Sequence, residues 1–468
     1  MMQSFALADA VNWLGGTVAV GNLEGLKFDG VSTDTRRIAS GDVFVALRGE
    51  NFDGHDYLAV AEKAGAVAAV VDKPDPSLGL PQIRVSDTVD ALAQLALANR
   101  NASTARFVAI TGSSGKTTVR EMVAAILSQV GNTLATEGNL NNHIGVPLTL
   151  FRLSPEHQLG AIELGASGLG EIAHTVNIVR PEVVILTNAG QAHLEGFGGY
   201  DNVVRAKGEI IDGAPASGLV VLNSDDPAFD LWRQRAGQRR VAGVSGRASE
   251  GADYVPEDIR SDGDVRQFRA QGPDGWSCDI RLSLQGEHNI TNALLAIAAA
   301  RELGAGDEAI KTGLAALKPV KGRLQMMALT PKLTVIDDSY NANPASMKAA
   351  LDVLAARPAG RVAVVGAIAE LGQDSLVLHR EVGEFARARG IERLIAVGPG
   401  CEGYVEGFGD AAEVCASHDD AVRRLFEGPA ESQTVLVKGS RSSAMDRVVE
   451  GIQEKVGNAC CSGLAPIH

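Results

Sequence analysis

The chain has 468 residues, 45% of them apolar, and at roughly 100–200 residues per domain this leaves room for about three globular cores. A net charge of −14 excludes a general nucleic-acid or anionic-membrane surface, so any site for an anionic ligand has to be local. No apolar run approaches the ~20 residues of a membrane span, and the start lacks the basic-then-apolar profile of a signal peptide. The five cysteines (Cys278, Cys401, Cys415, Cys460 and Cys461) show no metal-ligand spacing, so a reducing, cytoplasmic setting is expected.

Residues 1–83 read as a first small α/β unit. A turn at 30–36 leads into a strand over 41–47, a helix follows through Lys63, and a second strand covers 66–71 before a proline-rich stop at Pro74, Pro76 and Pro81. Ser32, Asp34 and Arg36 alternate, which in an extended segment places them on one side. Such a row either holds a ribose or pyrophosphate or is a solvated strand edge.

A central unit, 84–319, begins with a helix over 85–99. The strongest local signal of the chain follows: an apolar strand over 107–110, the loop Thr111-Gly112-Ser113-Ser114-Gly115-Lys116-Thr117, and an amphipathic helix from Thr118. Strand, glycine loop and helix in this order form a phosphate-binding device. Glycines let backbone N–H groups turn toward an anion, and the helix dipole adds to the attraction. Lys116 can reach terminal phosphates and Thr117 can ligate Mg²⁺. Ile110 stands where the longer form of the motif has glycine, so the match is to G-x-x-G-K-T. A nucleoside triphosphate is the implied ligand.

Beyond the loop helix, 136–147 holds Asn139, Asn141 and Asn142 between glycine and proline, material for a loop whose amides contact a ligand or simply shape a turn. Glu163 is a lone acid on an apolar strand, costly unless paired or ligating, and beside the phosphate loop it suits Mg²⁺. His193 follows the strand at 183–187, where open α/β sheets place ligands. Lys207 on the next helix reads by itself as a surface lysine. Asn289 and Asn292 share one face at the start of an Ala-rich helix through Leu303, an adenine edge or a capping cluster.

From about 320 to 456, strands at 333–336, 361–365, 394–397 and 434–437 alternate with helices, which predicts a Rossmann-like parallel sheet. No G-x-G-x-x-G marks a dinucleotide site. Residues 457–468 read as a disordered tail.

Together these stretches resemble the Mur ligases, with the D-alanyl-D-alanine-adding type as the nearest match. The carriers are TDTR at 33–36, FDGHDY at 52–57, TGSSGKTT at 111–118, TEGNLNNHIGVP at 136–147, NAGQAHLEGFG at 188–198, AKGEI at 206–210, GEHNITNA at 286–293 and KGRLQ at 321–325. DDSYNANP at 337–344, the run from Glu370 to His379 and VKGSRSSAM at 437–445 are the most type-specific. The Asp-Asn-Pro-Arg signature of the diaminopimelate-adding relatives is absent.

The resemblance implies a three-domain α/β enzyme: a small domain for a UDP-sugar substrate, a central P-loop ATPase domain with a parallel sheet, and a C-terminal Rossmann-like domain. It implies an ATP-dependent ligase acting on UDP-N-acetylmuramoyl-tripeptide and D-alanyl-D-alanine through an acyl phosphate, working as a monomer on small molecules only. ATP would lie on Gly112, Ser113, Ser114, Gly115, Lys116, Thr117 and Thr118, with Asn289 and Asn292 at adenine, Asp338 at ribose and Arg323 at the γ-phosphate. One Mg²⁺ would be held by Thr117 and Glu163, and a second by His193 and a carbamate of Lys207. Ser32, Asp34, Arg36, Asn139, Asn142, Tyr340 and Asn341 would face the other substrates. The competing reading from another class is a P-loop ATPase switch or transport motor, which would hydrolyse ATP without a UDP-peptide.

Overall fold

The computed structural model describes residues 2–191, 194–262, 265–427 and 432–461. The central sheet has six parallel strands in the order Arg240–Val244, Leu219–Asn223, Val183–Leu186, Arg106–Thr111, Leu159–Glu163 and Thr133–Ala135. Alternation along each strand divides the side chains between two cores. Val108, Ile110, Ala161 and Ile185 face the helices Lys116–Leu127 and His288–Glu302. Phe107, Ala109, Ile162 and Val184 face the opposite layer. Strand Arg106–Thr111 lies at the switch point: the chain proceeds to one side of it through Thr133–Ala135 and Leu159–Glu163, then crosses to the other. Ligands of open α/β sheets bind beyond the strand ends at such a point.

The first unit is a five-stranded sheet ordered Thr17–Val20, Gln82–Arg84, Ala68–Val71, Asp42–Val45 and Gly30–Ser32, parallel except for its first strand. Its core residues Leu7, Phe28 and Val43 join those of helix Thr88–Asn101 and of the central sheet in one apolar cluster. That helix is thus the shared wall of the first two units. The segment with Ser32, Asp34 and Arg36 is extended only to Asp34; there Asp34 caps a 3-10 turn at Thr35–Arg37, so the three residues do not form one strand face.

The C-terminal sheet runs Gln325–Thr330, Leu333–Asp338, Gln433–Lys438, Arg361–Gly366, Arg393–Val397 and Ala412–Cys415. Five strands are parallel as expected, and the edge strand Gln325–Thr330 is antiparallel. The last helix, Asp446–Cys461, extends past 456, so the expected tail is helical to Cys461, and 462–468 lie outside the described residues. The sequence reading also missed a three-stranded antiparallel sheet, Val255–Asp262, Val265–Gln271 and Ser277–Leu282, whose Phe268, Ala270, Cys278, Ile280 and Leu282 pack into the helix-facing core. No helix among the described residues is long and apolar enough to cross a membrane.

Helices Ser375–Ala388 and Glu402–Phe408 approach closely because glycines line their crossing. A Cβ on Gly407 would overlap the carbonyl oxygen of Arg380, and one on Gly403 would meet that of Leu376 at 2.5 Å. Gly407→Ala is expected to lower the stability of this domain by about 2–3 kcal/mol through overpacking, read as a fall in its urea midpoint at unchanged slope. Gly457→Ala, where a Cβ meets nothing within 4 Å, should be neutral or slightly stabilising.

Candidate active site

The phosphate loop is built by three local devices. Gly115 (φ +80) caps the helix, which starts at Lys116, two residues before the expected Thr118. Its backbone packs against Asn292, whose Oδ1 would lie 2.9 Å from any Cβ there. Gly112 (φ +148) leaves no room for a Cβ beside Thr187. Ser114 is then gripped by the next strand's end: its N–H donates to Asn188 Oδ1 (2.9 Å), and its carbonyl accepts from Thr187 Oγ1 (2.6 Å) and Asn188 Nδ2 (3.2 Å). The N–H groups of the helix's first turn lack intrahelical acceptors, which makes its start an anion site. Ile110 is fully buried in strand Arg106–Thr111, so no glycine is needed there: the loop bends only from Gly112.

Lys116 folds over its own loop, its Nζ donating to Gly112 O at 2.8 Å. Desolvation lowers its pKa, and the charge of Glu163 opposes that. Glu163 sits in register with Ile110 on the adjacent strand. It is 2% exposed, its Oε1 accepts from Asn141 Nδ2 (2.8 Å), and its Oε2 has no hydrogen-bond partner. The nearest cation is Arg120, whose Nε stands 4.0 Å away with no hydrogen-bond partner while its Nη1 pairs with Glu121 (2.7 Å). A buried carboxylate oxygen without a partner is costly. With Thr117, buried and lining the same cleft, it offers oxygen donors of the kind a hard cation such as Mg²⁺ would take. Among the described residues no group of three or more His, Cys, Asp or Glu side chains is placed to hold a metal ion, and His193 lies outside them.

Two domains close over this floor. Their cleft, of about 700 Å³, is lined from the central domain by Ser113 to Thr118, Asn139, Asn142, Glu163, Asn289 and Asn292, and from the C-terminal domain by Arg323, Asp338, Tyr340 and Asn341. Asn289 and Asn292 are buried and joined at 2.9 Å. Asn142 Oδ1 accepts from Gly145 N (2.8 Å) and Ile144 N (3.2 Å), so its oxygen serves the turn. The Arg323 guanidinium lies 4.4 Å from the Tyr340 ring centre. Asp338 is buried against Lys438 (2.6 Å) and accepts from Leu324 N (3.1 Å); desolvation raises its pKa and Lys438 opposes the rise. Lys438 also donates to Asn341 O (2.8 Å), tying two cleft-lining residues together.

Lys207 corrects its surface reading. It is 2% exposed, donates to Ala166 O (3.3 Å) and lies 5.1 Å from the Phe197 ring centre, behind the cleft wall formed by Ala166 and Ser167. Burial, with repulsion from Lys116, pushes its pKa down to about 7. Ser32, Asp34 and Arg36 lie outside the cleft lining and instead bind one another: Ser32 Oγ donates to Asp34 O (2.9 Å), and Arg36 grips the Asp34 carboxylate (2.7 Å). Asn141 is foreseen only as one of three loop amides, and Arg120, Asn188 and Lys438 carry no sequence signal beyond their place beside residues already singled out.

Three family descriptions match the chain: "Mur ligase family, catalytic domain" over residues 27–100, "Mur ligase middle domain" over 110–300, and "Mur ligase, glutamate ligase domain" over 322–441. A UDP-N-acetylmuramoyl-tripeptide–D-alanyl-D-alanine ligase of Escherichia coli is 47% identical over 93% of this chain and 96% of its own. The crystal structure of MurF from Acinetobacter baumannii superposes with a TM-score of 0.91 at 34% identity, covering 97% of this chain and 99% of its own. MurF of Thermotoga maritima, solved in complex with ADP, gives 0.83 at 28% identity over 92% and 98% of the two chains. With the phosphate loop, the buried acid and the two-domain cleft all in place, the chain belongs to the Mur ligase family and, within it, to the MurF type.

Proposed function

We propose that this protein joins D-alanyl-D-alanine to UDP-N-acetylmuramoyl-tripeptide at the expense of ATP, as a cytoplasmic monomer. The observation that carries the reading is the phosphate loop together with a buried carboxylate, one of its oxygens unpartnered, lining a cleft between two domains. In the first step a carboxylate oxygen of the tripeptide attacks the γ-phosphorus, the bond to the β-phosphate oxygen breaks, and ADP leaves an acyl phosphate. In the second, the dipeptide amine attacks the acyl carbon, phosphate departs and the amine loses a proton.

Both reactants of the first step are anions, so the site has to hold positive charge where they meet. Lys116 and the helix N–H groups would take the β- and γ-phosphates, and Arg323, steadied on Tyr340, would neutralise charge on the γ-phosphoryl group. Asn289 and Asn292 at adenine, Asp338 at ribose, and Ser32, Asp34, Arg36, Asn139, Asn142, Tyr340 and Asn341 toward the other substrates complete the assignment. Thr117 and Glu163 would hold one Mg²⁺, which supplies charge neutralisation when bound. His193 and a carbamate on Lys207 would serve a second. Carbon dioxide adds only to a neutral amine, and Lys207's burial supports a neutral form near pH 7.

The reading is tested by measuring phosphate release with ATP, the UDP-tripeptide and D-alanyl-D-alanine, omitting each in turn. Release requiring all three is expected; release indifferent to the dipeptide would refute it and favour a bare ATPase.

Lys207 gives a second test. Lys207→Ala should lose most ligase activity while still binding ATP, and near-full activity would remove the lysine from the mechanism. Stability should move the other way. The unfolded chain protonates this lysine up to its ordinary pKa of 10.5, the folded chain only up to about 7, so its burial destabilises fully below pH 7 and progressively less up to 10.5. Lys207→Met is therefore expected to raise Tm at pH 6–7, with the gain shrinking toward pH 10.

A further inference from the structure

The loop after strand Leu333–Asp338 ends at Asn343, which opens helix Pro344–Ala355. Asn343 Oδ1 accepts from Ser346 N (2.8 Å), and Ser346 Oγ accepts from Asn343 N (3.0 Å), a reciprocal capping box. Pro344 at the first helical position stiffens the same turn. A cap uses only the oxygen of asparagine. The remaining nitrogen, Nδ2, crosses between domains and donates at 2.8 Å to Oγ of Ser114 in the phosphate loop.

Ser114 is prepared for this contact. Its own domain holds it through the backbone alone, by Thr187 and Asn188, so its hydroxyl is left to the incoming domain. Asn343 is 7% exposed, and because the cap fixes its side chain, Nδ2 meets Ser114 in only one orientation of the C-terminal domain. Tyr340 and Asn341, just before it in the same loop, line the cleft, so the orientation that makes this bond also sets their approach to the phosphate loop.

We propose that Asn343 is a positioning residue for the ligation: its capped amide latches the C-terminal domain to Ser114, so that domain closure and the seating of the γ-phosphate are one event. The inference rests on the ligase reading for its kinetic arm only. A neutral hydrogen bond of this kind shifts a closed-to-open ratio by roughly three- to tenfold.

The test compares N343S, N343A, S114A and the N343S/S114A pair with the full-length wild type. Serine keeps the cap but cannot span to Ser114. N343S is expected to keep the wild-type Tm and to bind a non-hydrolysable ATP analogue alone within twofold of wild type, while kcat falls three- to tenfold. N343A, which also loses the cap, should lower Tm as well. In the S114A background N343S should change nothing further, which a merely structural role would not produce. Wild-type kcat in N343S, or losses that multiply in the pair, would overturn the latch. Small-angle scattering with the analogue and the UDP-substrate gives an arm free of turnover: N343S should compact less than wild type. Equal compaction would sink the latch even if the wild type proved not to be a ligase, an outcome that the omission experiment detects separately.

Discussion

A helix start that attracts anions and a buried carboxylate stand at the ends of neighbouring strands, in the register that pairs Ile110 with Glu163. Left alone, each is unfavourable: the N–H groups lack acceptors, and one oxygen of Glu163 has no partner. A metal–triphosphate complex would satisfy both at once, with its phosphates at the loop and its cation at the acid. The fold around them is arranged to preserve that tension. Asn141 holds one Glu163 oxygen and leaves the other, and Arg120 stops at 4.0 Å instead of closing a hydrogen bond. A fully satisfied Glu163 would make a quieter core and a poorer ligand.

The same logic explains why the site is divided between domains. The central sheet supplies a rigid floor, with Ser114, Thr187 and Asn188 locked by mutual hydrogen bonds. The C-terminal domain supplies Arg323 and the Asp338–Lys438 pair, each held by contacts within its own domain. Breaking a buried pair of this kind is costly because the surviving charge is left alone, so Lys438 and Asp338 tie the Leu324 and Asn341 loops together. Substrates that repel one another would thus meet between bodies already shaped, with little local ordering left to their approach.

The phosphate loop was legible in the sequence because its chemistry is local: glycines at fixed offsets, Lys-Thr at a helix start and an apolar strand before it. The parallel sheets were legible from apolar runs at regular spacing. The three-stranded antiparallel sheet left a signal too, in the period-two alternation of Phe268 and Ala270 and of Cys278, Ile280 and Leu282, but its polar outer face made it resemble loop. What the sequence did not reveal depends on packing across long separations. Asn141 differs from Asn139 and Asn142 only in where its amide ends up, and Asn343 gains its second partner from a residue 229 positions away. The extended row expected at 32–36 breaks at Asp34 for a local reason: Asp34 is a better cap than strand residue, and its carboxylate turns the chain onto Arg36.

Lys207 marks the limit of reading residues singly. On helix Tyr200–Asp212 an exposed lysine would solvate itself at no cost, and a core position would ordinarily take leucine or methionine. The fold instead buries an amine whose only described partners are a carbonyl at 3.3 Å and the face of a phenyl ring, and places it where the Lys116 charge disfavours protonation further. Burial and the Lys116 charge both cost stability, and the carbonyl and ring contacts offset part of that cost. Held behind the cleft wall, the amine has its pKa brought down to about 7, so a neutral form is populated near neutral pH where a surface lysine stays charged.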